Sequence, residues 1–116
     1  MGVRSAFKKL TTPVEELDRV RRQAGCTQLG ATPIDEVRPR AIERIAGEVS
    51  SVRIVPRAGS PSLEVSIDDG HGRATAIFFG RRHLSGLAPG RTVILEGRVQ
   101  QVAHRVVLYN PAYELR

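Results

Sequence analysis

The sequence predicts a mainly-β fold: a small five-stranded barrel over residues 40–116, preceded by an N-terminal α-helix and linker over residues 1–39. Two observations carry this. Apolar and polar residues alternate in short runs from about Arg40 onward, and turn-forming Gly, Pro and Asp clusters separate those runs. No strand–helix–strand alternation interrupts them, which excludes a parallel α/β sheet. Closure into a barrel also answers the problem of exposed edges, which a flat sheet of five strands leaves unpaired. At 116 residues the chain accommodates one domain of this kind.

The elements follow in order. Residues 1–11 read as an irregular lead. Thr12-Pro13-Val14-Glu15 is a helix start: Thr12 can cap, Pro13 suits the first helical position, and Glu15 completes a capping box. Val14, Leu17, Val20 and Ala24 form a narrow apolar stripe, and Gly25 stops a helix spanning 13–24. Residues 25–40 are a linker broken by Gly25, Gly30, Pro33 and Pro39, with room for a single helical turn at Thr32–Glu36. A long first strand, 41–55, carries Ile42, Ile45, Val49, Val52 and Ile54, with a bend or bulge expected at Gly47.

Leu63, Val65 and Ile67 alternate with Glu64, Ser66 and Asp68 in a half-buried second strand, and Asp68–Gly72 is a hairpin turn. The third strand, 73–79, places Ala74, Ala76 and Phe78 on one face and Arg73, Thr75, Ile77 and Phe79 on the other. Residues 81–86 are expected to make a short helical turn, and Leu87–Gly90 a tight one. Strand four covers 91–99, a connection 100–104 leads to strand five at 105–109, and Asn110-Pro111 closes the run.

Composition narrows the function. The net charge is +6, and 16 of the 18 basic residues are Arg, whose planar always-charged fork suits phosphates. The excess is spread along the chain rather than gathered into a basic tail. Cys26 stands alone and cannot form an internal disulfide; with three scattered His residues it makes no zinc set, so neither metal nor cofactor is expected. No apolar run reaches a signal peptide or a membrane span, so a cytoplasmic protein is expected. His71, His83 and His104 lack a nucleophile partner and Ser85 sits in no nucleophile elbow, so no enzyme activity is expected.

Leu63–Asp69 and then Gly72-Arg73-Ala74-Thr75-Ala76-Ile77-Phe78-Phe79-Gly80 resemble the second and third strands of OB-fold domains. The turn Leu87–Arg91, the run Val93–Val99 and the ending Asn110–Leu115 fit the same pattern in the same order. The resemblance is to the wedge-type OB domain of RecG helicase and to short stand-alone OB-fold proteins of actinobacteria. It implies binding of single-stranded or branched DNA, with RNA possible, in DNA repair or recombination. No phosphate-binding loop accompanies it, so no ATP-driven activity is implied.

An OB face uses strands two and three together with the loops joining strands one to two and four to five. The candidate contacts there are Arg53, Arg57, Arg73, Phe79, Arg81, Arg82, Arg98, His104 and Arg105. Phe78 and Phe79 are adjacent and must point oppositely; Phe78 is read as core and Phe79 as a base-stacking residue, the alternative being Phe79 packed beneath the N-terminal helix. Tyr109 is a second stacking candidate, read here as core. Glu64 and Asp68 share the face and oppose phosphate. The competing function is a protein adaptor using the barrel and the apolar stripe of the helix. A homodimer formed through an exposed strand also remains open.

Overall fold

A computed structural model describes Leu17 and residues 29–116 of the chain. The expected helix at 13–24 lies outside the described residues, apart from Leu17. Among the described residues the regular structure is almost entirely β. A 3₁₀ turn at Ile34–Glu36 is followed by β1 (Ile42–Val55), β2 (Ser62–Asp68), β3 (Arg73–Phe79), β4 (Thr92–Val102), β5 (Arg105–Tyr109) and β6 (Ala112–Leu115). The pairings β1–β2, β2–β3, β3–β5, β5–β4 and β4–β1 join five strands into a ring. All are antiparallel except β3–β5.

The first strand is shared between two partners. Ile42–Glu48 pair with β4, and Glu48–Val55 pair with β2. The change-over needs backbones to crowd: a Cβ on Gly47 would stand 3.0 Å from the Asp68 carbonyl oxygen, closer than ordinary packing allows. The bulge expected at Gly47 falls instead three residues later, where Val49 pairs with Ile67 and Ser51 with Ser66, leaving Ser50 extra. That one residue reverses the phase of the strand. Before it Ile45 and Val49 point inward; after it Val52 does.

The interior is aliphatic. Ile45, Val49, Leu63, Val65, Ile67, Val93, Leu95 and Leu108 are buried together with Ala74, Ala76 and Phe78. The two alanines leave room for the Phe78 ring, which meets Tyr113 edge-on at 5.8 Å. Residues 29–41 lie against the ring. Ile34 enters the main core, and Leu29 and Ala31 cover Ala46 and Ile94 on the outer side of β1 and β4. Thr32 N–H donates to the Arg44 carbonyl at 2.8 Å.

Three expectations need correction. Among the described residues there are six strands, because pairing on β4 resumes after Asn110-Pro111. Val99 pairs with Leu108 and Glu96 with Ala112, so β6 continues the line of β5 with a shift of one residue. The connection at 100–104 is mostly strand: Gln100 and Gln101 pair with Val107 and Val106. Only Ala103 and His104 turn, both with positive φ (50° and 64°), as a tight hairpin of right-handed twist requires. No helix forms at 81–86. Gly80 and Gly86 adopt positive φ (72° and 81°) and break the segment into turns, one closed by Leu87 N–H donating to the Leu84 carbonyl.

The β2–β3 hairpin is held by a buried carboxylate. Asp69 Oδ1 accepts from His71 N–H (2.8 Å) and Gly72 N–H (2.9 Å), while Oδ2 accepts from Ile34 N–H (2.8 Å). One side chain therefore shapes the turn and fastens the preceding segment to it. We expect Asp69→Ala to lower folding stability by about 2–4 kcal/mol, because one buried and two part-buried N–H donors lose a charged acceptor. Chemical denaturation monitored by circular dichroism checks this.

Candidate functional site

The register sets which side chains share the outer face of β1, β2, β3 and β5. Arg53, Glu64, Ile77 and Tyr109 form one row across the four strands. Val55, Ser62 and Phe79 form the row beyond it, and Ser51, Ser66, Thr75 and Val107 the row on its other side. From Arg73 to Phe79 this face runs roughly 20 Å along β3.

One end is aromatic. Phe79 is 44% exposed and stacks on Tyr109, 43% exposed, with ring centroids 5.5 Å apart and planes within 10°. Phe79 thus points outward and Phe78 inward. Tyr109 is outward too, contrary to its reading as core, because β5 runs parallel to β3 with Ile77 and Tyr109 in register. Asn110 fixes the two strand ends. Its N–H donates to the Ile77 carbonyl (2.8 Å), and its Oδ1 accepts from Phe79 N–H (2.9 Å) at a backbone φ of 47°. Asn tolerates that conformation better than other non-Gly residues.

Arg57, from the β1–β2 loop, lies over this end, with its guanidinium carbon 5.7 Å from the Phe79 ring centre, a cation–π distance. Its Nε donates to Ser62 Oγ (2.8 Å) and its Nη2 to Glu64 Oε2 (3.4 Å). Arg53 Nη2 donates to the other oxygen of the same carboxylate at 3.0 Å. Glu64 is therefore no bare negative charge on the face. It is a buried anchor that holds two guanidinium groups in place. Asp68 is likewise occupied, by Arg73 Nε at 3.5 Å and by Gly70 N–H at 2.7 Å.

The other end is hydroxylic and basic. A pocket of about 490 Å³ opens there between the Ser50 bulge and the β4–β5 turn, lined by Ser50, Ser51, Ser66, Arg73, Thr75, His104 and Arg105, with Ala74 and Val106. Among the described residues no carboxylate lines it. The Arg105 guanidinium has no hydrogen bond or ion pair among the described residues.

Of the nine expected contacts, the structure gathers Arg53, Arg57, Phe79, Arg73, His104 and Arg105 on this face and its two loops. Arg81 and Arg82 follow β3 and are exposed; Gly80 N–H donates to the Pro61 carbonyl, so they leave the sheet beside the β1–β2 loop. Arg98 stands apart. It lies on β4 opposite Ile42 of β1, and its Nη1 donates to the Arg40 carbonyl at 2.6 Å. Sequence reasoning missed Asn110 and the hydroxyl row of Ser51, Ser66 and Thr75. The alternation in β2 and β3 already put Ser66 and Thr75 outward, but Ser51 depends on the bulge. Among the described residues no group of three His, Cys, Asp or Glu is placed to hold a metal. No described helix is long and apolar enough to cross a membrane.

A family model described as an OB-fold nucleic acid binding domain matches residues 43–116. Among solved structures, RecG bound to a three-way DNA junction is similar at 18% identity with a TM-score of 0.60, over 72% of this chain and 12% of that one. At that identity the likeness shows the fold alone, and the chain spans about an eighth of the length of that protein. Among curated proteins nothing matches.

The aromatic end depends on Asn110. We expect Asn110→Ala to lower stability by about 1–2 kcal/mol, through the lost acceptor for Phe79 and the strained backbone left behind. Urea unfolding of the two proteins checks this.

Proposed function

The chain belongs to the family of OB-fold nucleic acid binding domains, and from that premise we propose that it binds single-stranded or branched DNA, or RNA, without catalysing a reaction. The observation that carries the reading is the exposed Phe79–Tyr109 stack with Arg57 across it, at the end of a face flanked by Arg53, Arg73 and Arg105. A π-face accepts any base, and guanidinium groups accept the phosphates between bases. Stacking of this kind needs unpaired bases, which single strands present throughout and junctions present at the branch. The similar domain in RecG, from a structure bound to a three-way junction, supports the branched arm of the reading. A role in DNA repair or recombination and a cytoplasmic location belong to the same proposal.

A second reading, a protein adaptor, has one observation in its favour: Leu17, from the apolar stripe at 14–24, is 60% exposed. The exposure of Phe79 favours nucleic acid over it.

Fluorescence anisotropy with labelled single-stranded DNA, duplex, forked junction and single-stranded RNA, each over a salt series, tests the proposal. We expect the single strand or the fork to bind more tightly than duplex. With about four phosphate contacts, the slope of log K against log salt should be roughly −3. Phe79→Ala should cost about 1–3 kcal/mol of binding free energy. Negligible binding to all four ligands at low salt would overturn the reading.

Glu64 supplies a sharper test. Glu64→Gln removes a negative charge from a face proposed to bind a polyanion, and bare electrostatics expects tighter binding. Because Glu64 orients Arg53 and Arg57, we expect the opposite: affinity for single-stranded DNA falls roughly three- to tenfold, about 1 kcal/mol of lost pre-organisation. The same anisotropy titration reads it.

A further inference from the structure

Resting on the nucleic-acid reading above, we propose that the pocket between the β1 bulge and the β4–β5 turn takes a terminal phosphate monoester of a strand end. The first observation is Thr75. It is 8% exposed, on the outer side of β3, and its hydroxyl has no hydrogen-bond partner among the described residues. Buried hydroxyls are nearly always paired, so one that lines a pocket unpaired points to a ligand oxygen. Ser66 and Ser51 stand beside it in the same row, on successive strands about 4.8 Å apart; their hydroxyls are equally without partners among the described residues, while the Ser66 carbonyl accepts from Ser50 Oγ at 3.2 Å.

Three adjacent hydroxyl donors match an acceptor with several oxygens, and the rim selects its charge. The Arg105 guanidinium has no described partner, His104 and Arg73 stand beside it, Arg73 being shared with Asp68, and no described carboxylate lines the pocket. A phosphate monoester offers three free oxygens and about −1.5 to −2 of charge at neutral pH, whereas an internal diester offers two oxygens and a single charge. The bulge at Ser50 on one side and the turn at His104 on the other bound the pocket across the sheet. The aromatic pair lies at the far end of β3, so base stacking and end capture occupy opposite ends of one face. A bound strand then has a defined polarity.

The test uses the full chain and one internally labelled single-stranded DNA sequence in three forms: both ends hydroxyl, phosphate at the 5′ end only, and phosphate at the 3′ end only. One phosphorylated form is expected to bind at least fivefold more tightly than the other two. The expected ratio falls to near one in Thr75→Val, with circular dichroism confirming that the variant is folded. Equal affinity for all three forms, or equal enhancement by either phosphate, overturns the pocket assignment while leaving nucleic-acid binding in place. A preference that survives in folded Thr75→Val overturns it too. Failure of every form to bind overturns the wider reading as well.

Discussion

The architecture depends on one strand serving two partners. β1 closes the ring only because its first half hydrogen-bonds to β4 and its second half to β2, with Glu48 paired to both Thr92 and Asp68. Such a strand must bend sharply where the partners change. Gly47 lets the Asp68 backbone approach to where a Cβ would stand, and the bulge at Ser50 adds local twist. The bulge also resets the alternation, so Ser51, Arg53 and Val55 face outward in register with β2. Without that phase change the outer face would carry Val52 and Ile54, and Arg53 would be lost from it.

The same geometry explains how a face containing carboxylates can suit a polyanion. Glu64 and Asp68 are neutralised by the cations nearest to them, and Arg53 and Arg57 are held by a carboxylate that is largely buried. Exposed ion pairs contribute little to stability. Their value here is positional: two long, flexible side chains start from defined places instead of being ordered when a ligand arrives. Asn110 does the corresponding work for the aromatic rings, tying the end of β3 to the end of β5.

Much of this was legible in the sequence. Strict alternation in Leu63–Asp68 and Arg73–Phe79 located both strands and put Phe78 and Phe79 on opposite faces; which of the two faces the core needed the packing around β3, where Phe78 is buried and Phe79 exposed. The hairpin was written in Asp68-Asp69-Gly70. What escaped detection depended on long-range pairing. Ala103-His104 carries none of the Asn-Gly signal of a tight hairpin turn, and Asn110-Pro111 looks like a terminus because nothing local shows that β4 has room for another segment. Tyr109 reads as core until the parallel partner β3 is known. The irregular spacing of Ile45, Val49, Val52 and Ile54 did record the bulge, but placing it at Ser50 rather than Gly47 required the register with β2.

The outer face of β2, β3 and β5 is the proposed seat of nucleic acid. A heteronuclear NMR titration of the full chain with a short single-stranded oligonucleotide tests it most directly. The largest amide shifts are expected at Ser66, Thr75, Phe79, His104 and Tyr109 and in the β1–β2 loop around Arg57. Shifts gathered instead on the opposite side, around Ala46 and Ile94 beneath Leu29 and Ala31, would contradict it.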